Sequence, residues 1–134
     1  MKKIALILLA VLISTCSSSN DTSEPTTEKT FSKLIIGKWK LTKQEKTIDG
    51  VLLTDDYTND NDETTHEYFE DGTMIFHEWG ETFNIRFTIT GSYLNHIDDE
   101  VFSYKIISMD NSEMVLELPD DNDSPRTRYY NKLN

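Results

Sequence analysis

The stretch Phe83-Asn84-Ile85-Arg86-Phe87-Thr88-Ile89-Thr90 alternates large apolar and polar residues without a break. Alternation with period two gives a strand one dry face and one wet face. Such a strand needs a second apolar layer or a sheet that curls onto itself, and the rest of the chain offers similar strands. Trp39 and Leu41 share one side of a segment whose other side carries Lys38, Lys40 and Thr42. Glu67–Glu70 and Thr73–Trp79 flank Asp71-Gly72, which reads as a two-residue hairpin turn. Gly91 permits a bend or bulge, with Tyr93 and Leu94 continuing beyond it. Val101–Met109, Met114–Leu118 and Arg126–Leu133 complete the series, separated by Asp98-Asp99, Asp110-Asn111 and the polar run Pro119–Pro125. Residues 49–63 read as a long polar loop, with a short strand at Val51–Leu53. Seven or eight short strands joined by local turns, with almost no helix, predict an all-β fold. A small up-and-down antiparallel barrel is favoured because closure removes sheet edges. The apolar phase assigns Trp39, Leu41, Phe83, Ile85, Phe87, Ile89, Tyr104, Ile106, Met114 and Leu116 to its interior.

The first residues belong to a different physical regime. Lys2 and Lys3 precede an unbroken apolar run from Ile4 to Ile13, followed by Ser14, Thr15 and the chain's single cysteine, Cys16. A short basic region, an apolar stretch and a small-residue site describe an export signal, and the run is too short to span a bilayer as a helix. Ile13-Ser14-Thr15-Cys16 resembles the lipobox of bacterial lipoproteins. That resemblance implies removal of residues 1–15 and attachment of lipid to Cys16, with the protein held at the cell envelope, in an outer membrane facing the periplasm or the surface. Residues 17–30 contain no large apolar side chain and read, with Cys16, as a lipidated, flexible tether. Residues 31–134 then form one domain, with Phe31–Ile36 making a short helical turn against it.

Charge narrows the partners. The chain has 13 basic and 24 acidic residues, for a net −11. Removing residues 1–15 takes away two lysines and leaves −13. Nucleic acid is a poor partner for such a surface. A basic protein reached by electrostatic steering would suit it.

The segment Gly37-Lys38-Trp39, placed at the first strand, resembles the Gly-x-Trp motif of lipocalins. The resemblance extends through Phe69-Glu70-Asp71-Gly72-Thr73-Met74, Gly91-Ser92-Tyr93, Met114-Val115-Leu116 and Arg128-Tyr129-Tyr130-Asn131-Lys132-Leu133. It is similar to the short lipocalin-like lipoproteins of Bacteroidetes-type bacteria over residues 34–134. This implies that Gly37 turns the chain into the barrel, Trp39 plugs the closed end, and Arg128 packs over the indole as a barrel-closing scaffold. It also implies an interior for a small hydrophobic ligand, with Leu41, Phe76, Trp79, Phe83, Ile85, Phe87, Tyr93 and Tyr104 as candidate contacts and Phe76, Trp79 and Tyr93 at the mouth.

Catalytic chemistry is not expected. There is no Gly-x-Ser-x-Gly elbow, no glycine-rich phosphate loop and no second cysteine. His66, His77 and His96 lack the spacing of a zinc motif, although His66 and His77 could face each other across the Asp71-Gly72 hairpin; they read as solvated strand residues. The acidic runs lack the turning glycine of a calcium loop. No metal or cofactor is expected. Two functions remain: a membrane-anchored lipoprotein binding a small hydrophobic ligand, and an envelope protein-interaction module (an inhibitor, immunity protein or assembly accessory) with a filled barrel.

Overall fold

The computed structural model describes residues 26–59, 63–119 and 124–134. The expected export signal, Cys16 and the first part of the expected tether lie outside the described residues. Among those described, no helix is long and apolar enough to cross a membrane.

Helix α1 runs from Thr26 to Leu34. The expectation of a tether to residue 30 and a single turn at 31–36 is corrected: the helix starts at Thr26. Phe31, Leu34 and Ile35 are spaced three and four apart and so share one face, which packs against the barrel core. Nine strands follow: β1 Gly37–Ile48, β2 Val51–Asp56, β3 Thr65–Tyr68, β4 Thr73–Glu78, β5 Glu81–Thr90, β6 Tyr93–Ile97, β7 Val101–Met109, β8 Glu113–Leu118 and β9 Arg126–Leu133. Each of β3 to β9 pairs with its sequence neighbour, β1 pairs with β3, and β9 returns to β1, giving a closed eight-stranded antiparallel barrel.

Strand β2 stands outside this circuit. It pairs with the distal half of β1, from Lys43↔Asp56 to Ile48↔Val51, whereas β3 pairs with Gly37–Lys40. The distal half of β1 thus pairs with β9 on one edge and β2 on the other, only the tip of this hairpin arm, over residues 47–52, runs beyond the β9 register, and all six residues of β2 are exposed. The polar loop expected over residues 49–63 is shortened accordingly.

Turn chemistry sets the hairpins. Gly72 donates to the Phe69 carbonyl, Phe69 donates to the Thr73 carbonyl, and Gly72 has φ +82 while Asp71 does not have a positive φ. This is a type I turn over Glu70-Asp71 with Gly72 as the bulge residue, rather than a two-residue Asp-Gly turn. Gly91, at φ +60, makes a tight hairpin between Thr90↔Tyr93 and not a bend within one strand, so Tyr93 starts a separate strand.

The barrel end next to α1 is sealed. Trp39 is fully buried, and its Nε1 donates to the Ile35 carbonyl at 2.6 Å. Lys132 Nζ lies 4.9 Å from the indole centroid and donates to the Leu34 carbonyl at 2.9 Å. Gly37 has φ +120, and a Cβ there would lie 2.9 Å from Lys132 Cε. The expected cation over the tryptophan is thus present, but it is Lys132. Arg128 is corrected to a position farther up β9, because a residue four places along a strand is more than 10 Å away. Around the plug pack Tyr68, Met74, Phe87, Leu94, Met109 and Met114. Every residue of the described core lies between Phe31 and Tyr130.

Trp39→Ala removes the plug and is expected to cost about 3–5 kcal/mol of unfolding free energy. Denaturant titration checks this, and an unchanged midpoint would contradict the placement.

Candidate functional site

The end opposite the plug carries the β1–β2 arm, the Trp79-Gly80 and Asp98–Glu100 turns and the start of β9. Exposure along the inner faces shows that this end is open. On β5, Phe83 is 41% exposed and Phe87 8%, although both point inward. On β7, Phe102 is 55% exposed and Ile106 4%. The interior is therefore a packed plug at one end that grades into a solvent-reached wall of aromatic residues at the other.

The candidate contacts distribute along this gradient. Leu41 and Phe87 belong to the packed core. Phe76, Ile85 and Tyr104 are partly buried on the inner wall, with Phe76 stacked on Phe83 at 5.9 Å between centroids. Trp79 sits at the tip of the β4–β5 hairpin at the open end. Tyr93 is a correction: it pairs with Thr90 beside the Gly91 turn, at the sealed end, and it alternates with the buried Leu94 so that it faces outward. It cannot line the mouth.

Trp79 is unusual in two respects. It is 82% exposed, and its φ is +50, followed by Gly80 at +78. Paired positive φ values form the type I′ turn that suits a two-residue hairpin, but a bulky residue there is strained. Ile48, Val51, Leu52 and Leu53 on the arm are also exposed at this end, as is Val101.

The largest departure from expectation lies inside. His66 and His96 are buried, not solvated. His66 sits opposite Phe76 while His77 sits opposite Thr65, so the two histidines of the hairpin take opposite faces and do not meet. His77 instead contacts Thr82 Oγ1 at 2.9 Å. The Tyr68 hydroxyl joins the inner pair, 3.2 Å from His66 Nδ1 and 2.9 Å from His96 Nε2. Its single proton serves one ring, and the other ring donates to it. Tyr104 packs on His96 at 4.6 Å, and Tyr130 on His66 at 5.1 Å between centroids. Among the described residues no group of three or more His, Cys, Asp or Glu side chains converges as a metal would need.

Arg128 belongs to this interior. It pairs in register with Gln44 and Leu116, and its Nε donates to Gln44 Oε1 at 2.9 Å. Burial pushes the His96 imidazole down to about 3, with the Arg128 charge adding to the effect. His66 is held well below the ordinary imidazole range by burial, then by His96 and Arg128. Burial lifts the Tyr130 hydroxyl to about 12, against the pull of the Arg128 charge. His66 Nε2 is buried without a hydrogen-bond partner, and the Tyr130 hydroxyl has only a marginal hydrogen-bond contact, with the Arg128 guanidinium.

Sequence alternation could not find this cluster. Arg126, Arg128, Tyr130 and Lys132 share the inner face of β9, which by residue type reads as the wet one. The register with Met114, Leu116 and Leu118 turns that face inward.

A closed eight-stranded antiparallel barrel, sealed at one end by the tryptophan of its first strand and open at the other, defines a lipocalin-type domain. The family model for the lipocalin-like domain matches residues 35–116, and the chain belongs to that family. Its fold is also similar to the crystal structure of a lipocalin-like protein from Bacteroides uniformis, with 14% identity, 75% of this chain and 99% of that one covered, and a TM-score of 0.50. No curated protein matches the chain.

Two measurements check the site. Both buried imidazoles are neutral in the folded chain, whereas the unfolded chain protonates them below about 6.5. Their contribution is therefore full above that pH and is lost as pH falls through it toward the depressed folded value. Unfolding free energy should drop between about pH 7 and 5 by up to about 1.4 kcal/mol per pH unit for each imidazole, and less steeply in His96→Asn. A flat profile in the wild-type chain would contradict neutral burial. At the rim, Trp79→Asn installs the residue that type I′ turns favour and should raise stability by about 1 kcal/mol. A lower melting temperature would show that the exposed indole supports the fold.

Proposed function

We propose that the chain is an envelope lipoprotein, anchored through Cys16, whose barrel binds a small hydrophobic molecule through its open end. The exposure gradient carries this reading: inward-facing aromatic side chains at Phe83 and Phe102 are reached by solvent while their neighbours deeper on the same strands are packed. A surface of this kind, concave and aromatic with a few polar groups beneath, is the ordinary composition of a small-molecule site. The chain enters the barrel at the sealed end through α1, so the rim lies at the other end, away from that junction. Lipid at Cys16 would keep the domain at a membrane where apolar molecules concentrate. The family resemblance and the lipobox support an outer-membrane location facing the periplasm or the surface, and a binding protein rather than an enzyme.

The β1–β2 arm favours a second reading. Four apolar side chains, Ile48, Val51, Leu52 and Leu53, stand exposed on this hairpin, as they would for docking a protein. The net charge of −11 suits a basic partner.

Native mass spectrometry of the chain lacking residues 1–20, purified gently and then extracted with solvent, separates the two. A reproducible added mass that extracts as an apolar molecule is the expected result. A clean apo mass, together with no binding of fluorescent fatty-acid probes, would transfer the conclusion to the protein-docking reading. For the anchor, Cys16→Ala should leave the membrane fraction, and continued partitioning with membranes would refute lipid attachment there.

A further inference from the structure

We propose that the outer edge of β2 takes up an extended segment of a basic protein as an added strand, with its cationic end against Asp55 and Asp56 and its apolar end beside Val51 and Leu52. This rests on the protein-docking reading above and adds the mode of binding and the chemistry of the partner.

The strand register leaves a lane of the sheet open. β2 and β3 follow one another along the same edge of β1, with β2 beside Lys43–Ile48 and β3 beside Gly37–Lys40. The next lane holds β4, which pairs with β3 from Tyr68↔Met74 to Thr65↔His77. The chain turns back at Trp79-Gly80, about level with Thr42, just short of the end of β2 at Lys43↔Asp56. Past that level, among the described residues, β1 is the one strand with which β2 pairs. The described ends of the β2–β3 connection lie off this lane, because Thr58 and Glu63 both meet Lys40 on the outer face of β1.

Backbone groups point into the open lane. Asp49 and Gly50, at φ +50 and +77, form a two-residue hairpin turn, which makes Ile48↔Val51 a hydrogen-bonded pair. Alternation then directs the N–H and C=O of Val51, Leu53 and Asp55 to β1, and those of Leu52, Thr54 and Asp56 outward. Edge strands are ordinarily blunted by lysine, proline or a bulge. β2 has none of these, and Val51, Leu52 and Leu53 are 59%, 60% and 48% exposed. An extended peptide satisfies such an edge by adding a strand to it.

Charge selects the occupant. Asp55 and Asp56 end the edge, and Glu78 and Glu81 stand opposite each other across the Trp79-Gly80 tip next to it. Lys43, level with Asp56, is held by Glu45. Residues 17–25, 60–62 and 120–123 of the chain itself contain acidic side chains and no lysine or arginine, so they do not complement this edge. A second copy would bring the same carboxylates and a net charge of −11. A segment that runs antiparallel to β2, with Lys or Arg first and β-branched residues after, matches both halves. Trp79, 82% exposed, offers the basic end an indole face to pack on.

Fluorescence anisotropy with labelled Lys-Lys-Thr-Val-Ile-Val tests this on the chain lacking residues 1–20, which keeps every described element. Binding should be about ten-fold tighter than that of Glu-Glu-Thr-Val-Ile-Val. Combined Asp55→Asn and Asp56→Asn should weaken it about three- to five-fold. N-methylation of the third and fifth peptide residues, opposite Thr54 and Leu52, should weaken binding about ten-fold, whereas methylation of the fourth and sixth should leave it within about two-fold. Thr54→Pro removes an outward N–H that β1 does not use, and should also cost about ten-fold; the methylated peptides carry the test if that variant does not fold. Binding indifferent to the phase of methylation would overturn strand addition and leave docking through side chains intact. Equal binding of the glutamate peptide would overturn the basic partner. Binding of neither peptide would overturn the edge site, while the docking reading is decided separately by the native mass. A dimer in sedimentation that Thr54→Pro dissolves would overturn this occupant in favour of a second copy.

Discussion

The return of β9 to β1 is the contact on which the remaining structure depends. Register from Lys38↔Leu133 to Lys46↔Arg126 turns a meander into a barrel. Without it, Trp39, Leu41 and Tyr130 would lie on an open sheet face with no layer above them. Closure also absorbs both edges of the eight-stranded circuit, which matters in a chain whose single cysteine cannot form an internal disulfide. The bulge between Leu41 and Lys43 adjusts β1 so that Gln44, not Lys43, continues the inner face. Lys43 then turns outward, where it pairs with Glu45 and stacks on Tyr129.

Closure divides the interior into unlike halves. Near α1 the side chains are large and apolar, and each polar atom of the plug is paired: Trp39 with Ile35, Lys132 with Leu34. Above the plug, His66, His96, Tyr104 and Arg128, met by the Tyr68 hydroxyl from below, form a polar layer that closure has withdrawn from water. Such a layer contributes less stability than packed apolar groups of equal volume would, and the unpartnered His66 Nε2 costs more still. A fold selected for stability alone would have no use for it. The same holds at the rim, where an exposed tryptophan occupies a strained turn position that asparagine or glycine would fill more easily.

Much of the framework was legible in the sequence. The alternation at Phe83–Thr90 gave the phase of β5 because a period of two is a local signal, while the sealed end at Gly37 and Trp39 was implied by the resemblance to lipocalins. The tyrosine and histidine interior was not legible. Alternation reports which residues share a face, but only strand pairing tells which face is inside. On β9 the residue types point the wrong way, and on β3 a four-residue strand is too short to show a phase. The cation over Trp39 was assigned to Arg128 because arginine was expected; the register places Lys132 opposite Trp39. The arm was hidden for a related reason, since the apolar Val51–Leu53 looks like core and is exposed.

The central claim is that the open half of the barrel is built around a bound molecule. A crystal structure of the protein purified from its native host under mild conditions tests it most directly. Ordered non-protein density inside the open end, against Phe83 and Phe102, is the predicted result. An interior with no added density, with Phe83 and Phe102 reached by solvent alone, would contradict it.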